Sequence, residues 1–246
     1  MSGHSKWNNI KRKKEKTDAQ KGKIFTKIGR EISVAVKLGG PDPSSNSKLK
    51  ELVSKAKSLN VPNDNIDRII KKAAGSGDKD TYEDITYEGY GPNGIAVIVE
   101  ALTDNRNRTA SDVRHYFDKF GGNLGTTGCV SYLFEDKGII VVELGGKDED
   151  AAMEDFLGAG AIDLSIEDSI AEIETEPNDV YNIKEAIEAK GYAIISAEAE
   201  KVPSTYVNLT DEESAKKMNL LLENLEDNDD VQKVWHNWEN EDEFDF

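Results

Sequence analysis

The side chains with the clearest chemical potential in this sequence are cationic, and they are concentrated near its start. Residues 3–23, GHSKWNNIKRKKEKTDAQKGK, form a basic segment in which lysine and arginine follow a single tryptophan, Trp7. Each cation can neutralise one phosphate, and a handful of such contacts gives salt-dependent binding to a polyanion without sequence readout. The alternative is a solvated tail. The phosphate contacts that we expect in this segment come from Lys6, Lys11, Arg12, Lys13, Lys14, Lys16 and Lys21.

Trp7 has two interpretations within this basic segment. Its indole can stack on an unpaired base, a contact worth about 1–3 kcal/mol. It can instead pack against the helical module that follows and hold the segment in place. Packing is favoured because an isolated tail rarely exposes an indole to solvent. Trp7 therefore belongs with the candidate nucleic-acid-binding residues, either as a direct contact or as an anchor.

The basic segment leads into a module whose pattern is helical. Isoleucines at helical spacing predict a first helix over residues 17–38, and further helices are predicted over 47–59 and from residue 63. Lys23, Lys27 and Arg30 fall on the side of the first helix opposite the isoleucines. These three cations extend the predicted nucleic-acid-binding surface.

The pattern changes from helical to alternating after the first module. Segment 138–200 has the order strand, helix, strand, strand, helix, strand, which is the ferredoxin-like order. Strands over 95–102, 130–135, 205–209 and 231–238, with helices from 109 and 210, repeat that order. The sequence therefore predicts an α+β multidomain protein with an N-terminal all-helical domain (1–76) followed by two ferredoxin-like α+β domains, the third (137–202) inserted into the second (79–136 plus 203–246).

A second cationic cluster precedes one of these helices. Arg106 and Arg108 stand just before a helix predicted to begin at Thr109, whose spacing to Asp112 forms a capping-box pattern. Fork-shaped guanidinium donors beside free backbone N–H groups make a suitable anion site. Alternatively, Asp104 and neighbouring acids pair with the arginines and order the loop. Both interpretations are open at this point.

Other motifs carry no catalytic or cofactor chemistry. The glycine-rich run over 121–128 follows a helix, precedes a strand and lacks the lysine of a phosphate-binding loop, so it is more typical of a helix stop and turn. Cys129 has no evident histidine partner. Three histidines and one cysteine make a structural zinc site improbable. We expect neither an enzyme nor a bound metal or cofactor.

The charge is divided very unequally along the chain. The net charge of −17 conceals 18 Lys+Arg against 7 Asp+Glu in residues 1–74, and 13 against 41 in the remainder. This asymmetry indicates a basic module that meets a polyanion, carried on an acidic body. No apolar run approaches the roughly 20 residues of a membrane span. With one cysteine and no secretory signal, we expect a cytoplasmic protein with no membrane partner.

Several long motifs resemble a known family. They are GHSKWNNIKRKK, KGKIFTKIGREI, LGGPDP, PNDNIDRIIKKA, YEGYGPNGIAVIVEALTDNRNRTASDVRHYF and GGNLGTTGCVSYLF, and they cover roughly residues 3–135. They resemble the YebC/PmpR family of probable transcriptional regulatory proteins, which is similar to the mitochondrial translational activator of cytochrome oxidase subunit one. The resemblance implies three domains and no enzymatic activity. Asn8 and Lys14-Glu15-Lys16 depart from the family pattern but preserve its basic character.

Two functions follow from this resemblance. The first is a DNA-binding transcriptional regulator; the alternative is a ribosome-associated translation factor that binds ribosomal RNA and relieves stalling on difficult stretches such as consecutive prolines. The lysine-rich helices favour backbone contact, and hence RNA or non-specific binding, whereas the family name favours transcription. A hidden hydrolase is the least favoured reading. We expect nucleic acid as the partner, with the ribosome as the partner in the alternative function, and a monomer or weak dimer.

Overall fold

The computed structural model describes residues 7, 10, 18–75 and 81–244, with side chains from residue 22 onward in the second range. These residues form two compact units. The first contains residues 7, 10, 131–209 and 237–244, and the second contains 18–75, 81–130 and 210–236.

In chain order, the described helices are α1 (Asp18–Gly39), α2 (Ser47–Ser58), α3 (Asn63–Ala74), α4 (Arg106–Lys119), α5 (Glu149–Ala159), α6 (Val180–Ala189) and α7 (Glu212–Asp227). The described strands are β1 (Glu83–Tyr90), β2 (Ala96–Thr103), β3 (Asn123–Leu124), β4 (Phe134–Glu143), β5 (Asp163–Glu167), β6 (Ile170–Thr175), β7 (Ala193–Pro203) and β8 (Val231–His236).

The first module is helical, as the sequence predicts. Its three helices share a core that includes Ile32, Leu49 and Ile66, all essentially inaccessible to solvent. The turn between α1 and α2 is closed by the buried Asn46, whose side chain accepts from Leu49 N–H and donates to the carbonyls of Ala35 and Gly40. A side chain at Gly39 would clash with that amide, because a Cβ there would lie 2.6 Å from its nitrogen. The sharp reversal thus depends on a glycine and one amide.

The second unit also contains an antiparallel sheet with the strand order β3-β1-β2-β8. The β1–β2 connection is a tight turn in which Asn93 and Gly94 take left-handed backbone angles, φ 54° and 81°. Val113 and Phe117 of α4, and Met218 and Leu221 of α7, are fully buried. Because β8 returns from far along the chain to pair with β2, this sheet is closed by two separated parts of the sequence.

The chain between those parts forms the sheet of the first unit, with the order β5-β6-β4-β7. Neighbouring strands are antiparallel, and α5 and α6 cover one face. The buried side chains between the helices and the sheet are Ile140, Val142, Phe156, Ile173, Ile183 and Ile187. This order of strands and helices is the ferredoxin-like arrangement. The α+β multidomain class, with its insertion, is confirmed.

The second domain departs in detail from its predicted element order. Residues 131–133 form a 3-10 turn, and β4 begins only at Phe134 and belongs to the inserted sheet, where it pairs with Pro203. Residues 205–209 contribute an isolated bridge between Val207 and Trp238 rather than a strand of a sheet. The sheet of the second unit therefore opens with the β1–β2 hairpin, and its predicted strands over 130–135 and 205–209 are wrong. The predicted domain boundaries stay predictions.

Candidate nucleic-acid interface

Much of the predicted interface lies outside the described part of the chain. The basic residues of the first segment whose side chains are not described are Lys6, Lys11, Arg12, Lys13, Lys14, Lys16 and Lys21. Their phosphate contacts stay predictions.

Trp7 lies against the inserted domain. With Ile10, its half-buried side chain packs on a cluster formed by Ile139, Val141 and Ile170. Its backbone N–H donates to a carboxylate oxygen of Glu172 at 3.3 Å. Packing of Trp7 is observed, and its partners are strands β4 and β6 of the inserted domain. Its expected packing on the helical module stays a prediction. Base stacking by Trp7 stays a prediction.

The three predicted cations of α1 face an acidic corner, residues 226–230, where α7 ends and β8 begins. Lys23 Nζ lies 3.0 Å from the Asp227 carboxylate, and Lys27 Nζ donates to the Glu226 carbonyl at 2.6 Å. Arg30 donates to the Asp229 carbonyl at 2.9 Å and to the Asp230 carboxylate. The end of a helix carries partial negative charge, which adds to that of the carboxylates. This cationic face of α1 therefore has a partner within its own unit.

Asp230 is the centre of a buried network in that corner. Its side chain is only 5% exposed. One carboxylate oxygen accepts from Arg108 Nη2 at 2.7 Å and from the Thr109 hydroxyl at 2.7 Å. Burial disfavours the charged form, but hydrogen bonds from Arg108, Thr109 and Arg30 outweigh it, so the pKa of Asp230 lies below its ordinary value. The aspartate is held as an anion.

The same network corrects the predicted start of the helix. The structure begins α4 at Arg106, and the Asn105 side chain caps it by accepting from Arg108 N–H at 3.1 Å. Thr109 is fully buried and lies inside the first turns, where its hydroxyl is used by Asp230. The capping box expected at Thr109 is therefore wrong, since a long-range partner takes the hydroxyl.

The two arginines of this region differ sharply. Arg108 pairs with Asp104 at 2.9 Å as well as with Asp230, and these hydrogen bonds raise its pKa. Its guanidinium orders the loop, as the second interpretation expects. Arg106 is exposed on the first turn of α4 and makes no hydrogen bond or ion pair among the described residues. Of the two, Arg106 is the one whose guanidinium no carboxylate holds among the described residues.

Other exposed cations lie on α2 and α3. Lys57 is exposed near the end of α2, and Lys71 and Lys72 are exposed in the last turn of α3. Arg68 is exposed too, and its guanidinium donates to the Asn65 side chain. The predicted set of site residues omitted these four cations, although their outward positions follow from the helical periodicity. They belong to the candidate interface.

The glycine-rich run is a structural turn. Glu88 is buried at 3% exposure, and its carboxylate accepts backbone N–H bonds from Gly128 at 2.8 Å and Val130 at 2.9 Å. An internal carboxylate thus occupies the amides that a bound phosphate would use. Burial, and secondarily the nearby Glu88 charge, raise the pKa of the Cys129 thiol, so the neighbouring thiol is less readily ionised than an ordinary one. The sequence-based interpretation as a turn is confirmed.

The described residues hold neither a metal-binding cluster nor a membrane-spanning helix. No cluster of three or more His, Cys, Asp or Glu side chains in this part of the chain is arranged to hold a metal ion. None of its helices is both long enough and apolar enough to cross a membrane.

Comparison with known families covers nearly the whole chain. Residues 5–76 match the TACO1/YebC protein N-terminal domain, and residues 82–238 match the TACO1/YebC second and third domain. The chain belongs to the TACO1/YebC family. The first match contains the helical module and the second contains both sheets.

Curated relatives in this family are similar over their full length. A protein of Acetivibrio thermocellus is 60% identical over 97% of this chain and 99% of its own length. One of Ruminiclostridium cellulolyticum is 59% identical over 99% of this chain and 98% of its own. Both are named probable transcriptional regulatory protein. A regulatory role is thus the family-level description.

A solved structure shares the fold. The crystal structure of a conserved hypothetical protein from Aquifex aeolicus superposes with a TM-score of 0.80 at 47% identity, covering 91% of this chain and 92% of that one. This likeness supports the α+β multidomain architecture described above.

Proposed function

We propose that this TACO1/YebC family member is a non-enzymatic regulator of gene expression that binds duplex DNA through its phosphates. The observation that carries the proposal is the division of charge: 18 Lys+Arg against 7 Asp+Glu in residues 1–74, in a chain whose net charge is −17. A cationic module on an acidic body attracts a polyanion to one place and repels it elsewhere. The regulatory names of the relatives agree with this function.

The exposed cations indicate how the contact is made. Lys57, Lys71 and Lys72 stand on the surface of the helical module, which is continuous in sequence with the basic segment. Lysine binds phosphate as a point charge, whereas base readout in the major groove typically uses bidentate Arg, Asn or Gln. We therefore expect binding that depends strongly on salt and weakly on DNA sequence.

Arg106 supplies a second contact in this proposal. It is exposed on the first turn of α4, at the positive end of the helix dipole. Both features favour an anion. Arg108 holds the loop that presents Arg106, through its bonds to Asp104 and Asp230.

The decisive experiment compares two pairs of adjacent lysines. Charge reversal at Lys13 and Lys14 (K13E/K14E) removes about two phosphate contacts, so the dissociation constant for a 20-base-pair duplex should rise at least tenfold in 0.15 M salt. The slope of log K against log salt should fall by about 2. The matched control is K216E/K217E, which makes the same charge change on the exposed face of α7. If the two pairs had equal effects, binding would depend only on the net charge of the protein, and the basic segment would not be the contact.

A second candidate is binding to ribosomal RNA. The observation behind it is that the exposed cations of α2 and α3 are mostly lysines, which indicates backbone contact without base readout. Sedimentation of native lysate in sucrose gradients at two salt concentrations separates the two functions. Retention on DNA and absence from ribosomes at low salt supports the proposal. Salt-sensitive co-sedimentation with ribosomes that survives DNase would replace it with the translational function.

A further inference from the structure

The face of the inserted sheet that lies opposite α5 and α6 has an unusual composition. We call it the outer sheet face. Directly paired residues of antiparallel strands share a face. The register pairs Ile139 of β4 with Glu174 and Glu198, and Val141 with Glu172. On the outer sheet face, Ile139 and Val141 of β4 therefore lie beside glutamates of β6 and β7, with Ser196 as the β7 partner of Val141.

The apolar part of this face is covered by the start of the chain. Ile139 is 5% exposed and Val141 is fully buried, although no helix of the inserted domain lies on this side. Trp7 and Ile10 pack on them, three residues apart in the basic segment. Trp7 and Ile10, which have basic neighbours in the sequence, thus pack on Ile139 and Val141, which have glutamates beside them in the sheet.

The acidic part of the face complements the charge of the segment. Glu172 accepts the Trp7 backbone N–H at 3.3 Å. Glu174 pairs with Lys137 at 2.8 Å. Burial raises the pKa of the Tyr206 hydroxyl, and the negative charges of Glu239, Glu172 and Glu174 raise it further against the opposing effect of Lys137. The potential at this face is negative, so it attracts lysine and repels phosphate.

We propose that the outer sheet face is an internal binding site for the basic segment and competes with nucleic acid for it. The proposal rests on the proposed function and adds its regulation. Lys11 follows directly on Ile10, so a phosphate chain on the basic segment would come within a Debye length, about 8 Å at physiological salt, of the glutamates when Trp7 and Ile10 are seated. Full contact therefore requires their release. The observed affinity is then reduced by the fraction of molecules in which the segment is docked.

Binding measurements on both sides of the contact test this competition. Ile10→Ser weakens the apolar contact, and Glu172→Gln removes one negative charge and leaves only a neutral amide oxygen to accept the Trp7 N–H. Each should lower the dissociation constant for a 20-base-pair duplex by roughly three- to tenfold, as the docked fraction falls. Glu154→Gln, at an exposed position of α5 on the opposite side of the same sheet, controls for the loss of one charge. Unchanged or weaker binding in both variants, relative to this control, would overturn the proposal.

A second readout follows the anchor itself. The chain has three tryptophans, so 5-fluorotryptophan labelling gives three ¹⁹F resonances, and Trp7→Phe identifies that of Trp7. In the free protein, Ile10→Ser should shift this resonance toward the solvent-exposed position. Adding duplex to the wild type should shift it the same way and leave the resonance of the buried Trp238 in place.

The two failures are distinguishable. If duplex binds and the Trp7 resonance does not move, the competition is wrong and the proposed function stands. If Ile10→Ser leaves the resonance of the free protein unchanged, the docking itself is refuted, whether or not duplex binds. If no duplex binds to the wild type or to the Ile10→Ser variant, the proposed function fails, and the competition fails with it.

Discussion

Two sets of cations on the helical module look alike in sequence and differ in the structure. Lys23, Lys27 and Arg30 lie along one face of α1, each with an oxygen partner in the acidic corner. Lys71 and Lys72 of α3 also lie outside the apolar face of their helix, but they are exposed at the helix end. Both sets read as outward, polar positions. The difference teaches that helical periodicity identifies the side of a helix away from its own core, but not whether another domain covers that side.

The largest effect should come from removing the centre of the acidic corner. Asp230→Ala leaves Arg30 and Arg108 without their shared carboxylate, and breaking a buried charged network in this way costs about 3–5 kcal/mol of unfolding free energy. Lys71→Ala with Lys72→Ala should change stability by less than about 0.5 kcal/mol. Urea denaturation followed by far-UV circular dichroism measures both. A similar small cost at Asp230 would mean that the corner does not bind α1 tightly.

Among the cations of α1, Arg30 should contribute more to the unfolding free energy than Lys23. Arg30 is 18% exposed and bonds to a buried carboxylate, whereas the Lys23 and Asp227 side chains are 39% and 60% exposed. Arg30→Gln should therefore cost about 1.5–3 kcal/mol, and Lys23→Gln at most about 1 kcal/mol. Arg68→Gln is the matched control for Arg30, since Arg68 is exposed on α3. The same urea titrations rank the three, and an Arg30 cost no larger than that of Arg68 would contradict the burial argument.

The network should also have a pH signature. The pKa of Asp230 is lowered in the folded state from an ordinary value of 3.8, so the unfolded chain takes up the proton first as pH falls. Its stabilisation is fully present above about pH 5 and is lost as the pH falls through the lowered pKa, below about pH 4. The gap in unfolding free energy between wild type and Asp230→Asn should shrink by up to about 1 kcal/mol from pH 6 to pH 3. A constant gap would show that the charge is not the source of the stabilisation.

The contacts that sequence patterns could predict were local or periodic. The helices of the first module and the strand-helix order of the inserted domain follow from the spacing of apolar residues. These recur once per turn in a helix and at every second residue in a strand. The strand expected over 130–135 fails because Glu88 holds the backbone of Gly128 and Val130 from 40 or more residues away. No local pattern records that bond. The sequence therefore predicts the elements better than the places where they end.

The same limit applies to the candidate site. The local sequence does not distinguish Arg106 from Arg108. The difference between them is that Arg108 binds Asp230, which lies 122 positions further along the chain. The partner of Trp7 is as remote, at Glu172. What the sequence does predict is the total charge of a segment, because charge adds along the chain. Which cations remain for a ligand depends on long-range pairing.

Duplex binding tests directly which cations remain for a ligand. Lys71→Gln with Lys72→Gln removes two exposed cations and should weaken duplex binding about five- to tenfold in 0.15 M salt, whereas Lys23→Gln with Lys27→Gln should weaken it less than about twofold. The reason is that the second pair already has oxygen partners and releases fewer counterions on binding. Fluorescence anisotropy with a labelled duplex measures both at matched charge. If the α1 pair proved as important as the α3 pair, phosphate would have to displace the acidic corner, and the covered face of α1 would belong to the nucleic-acid interface after all.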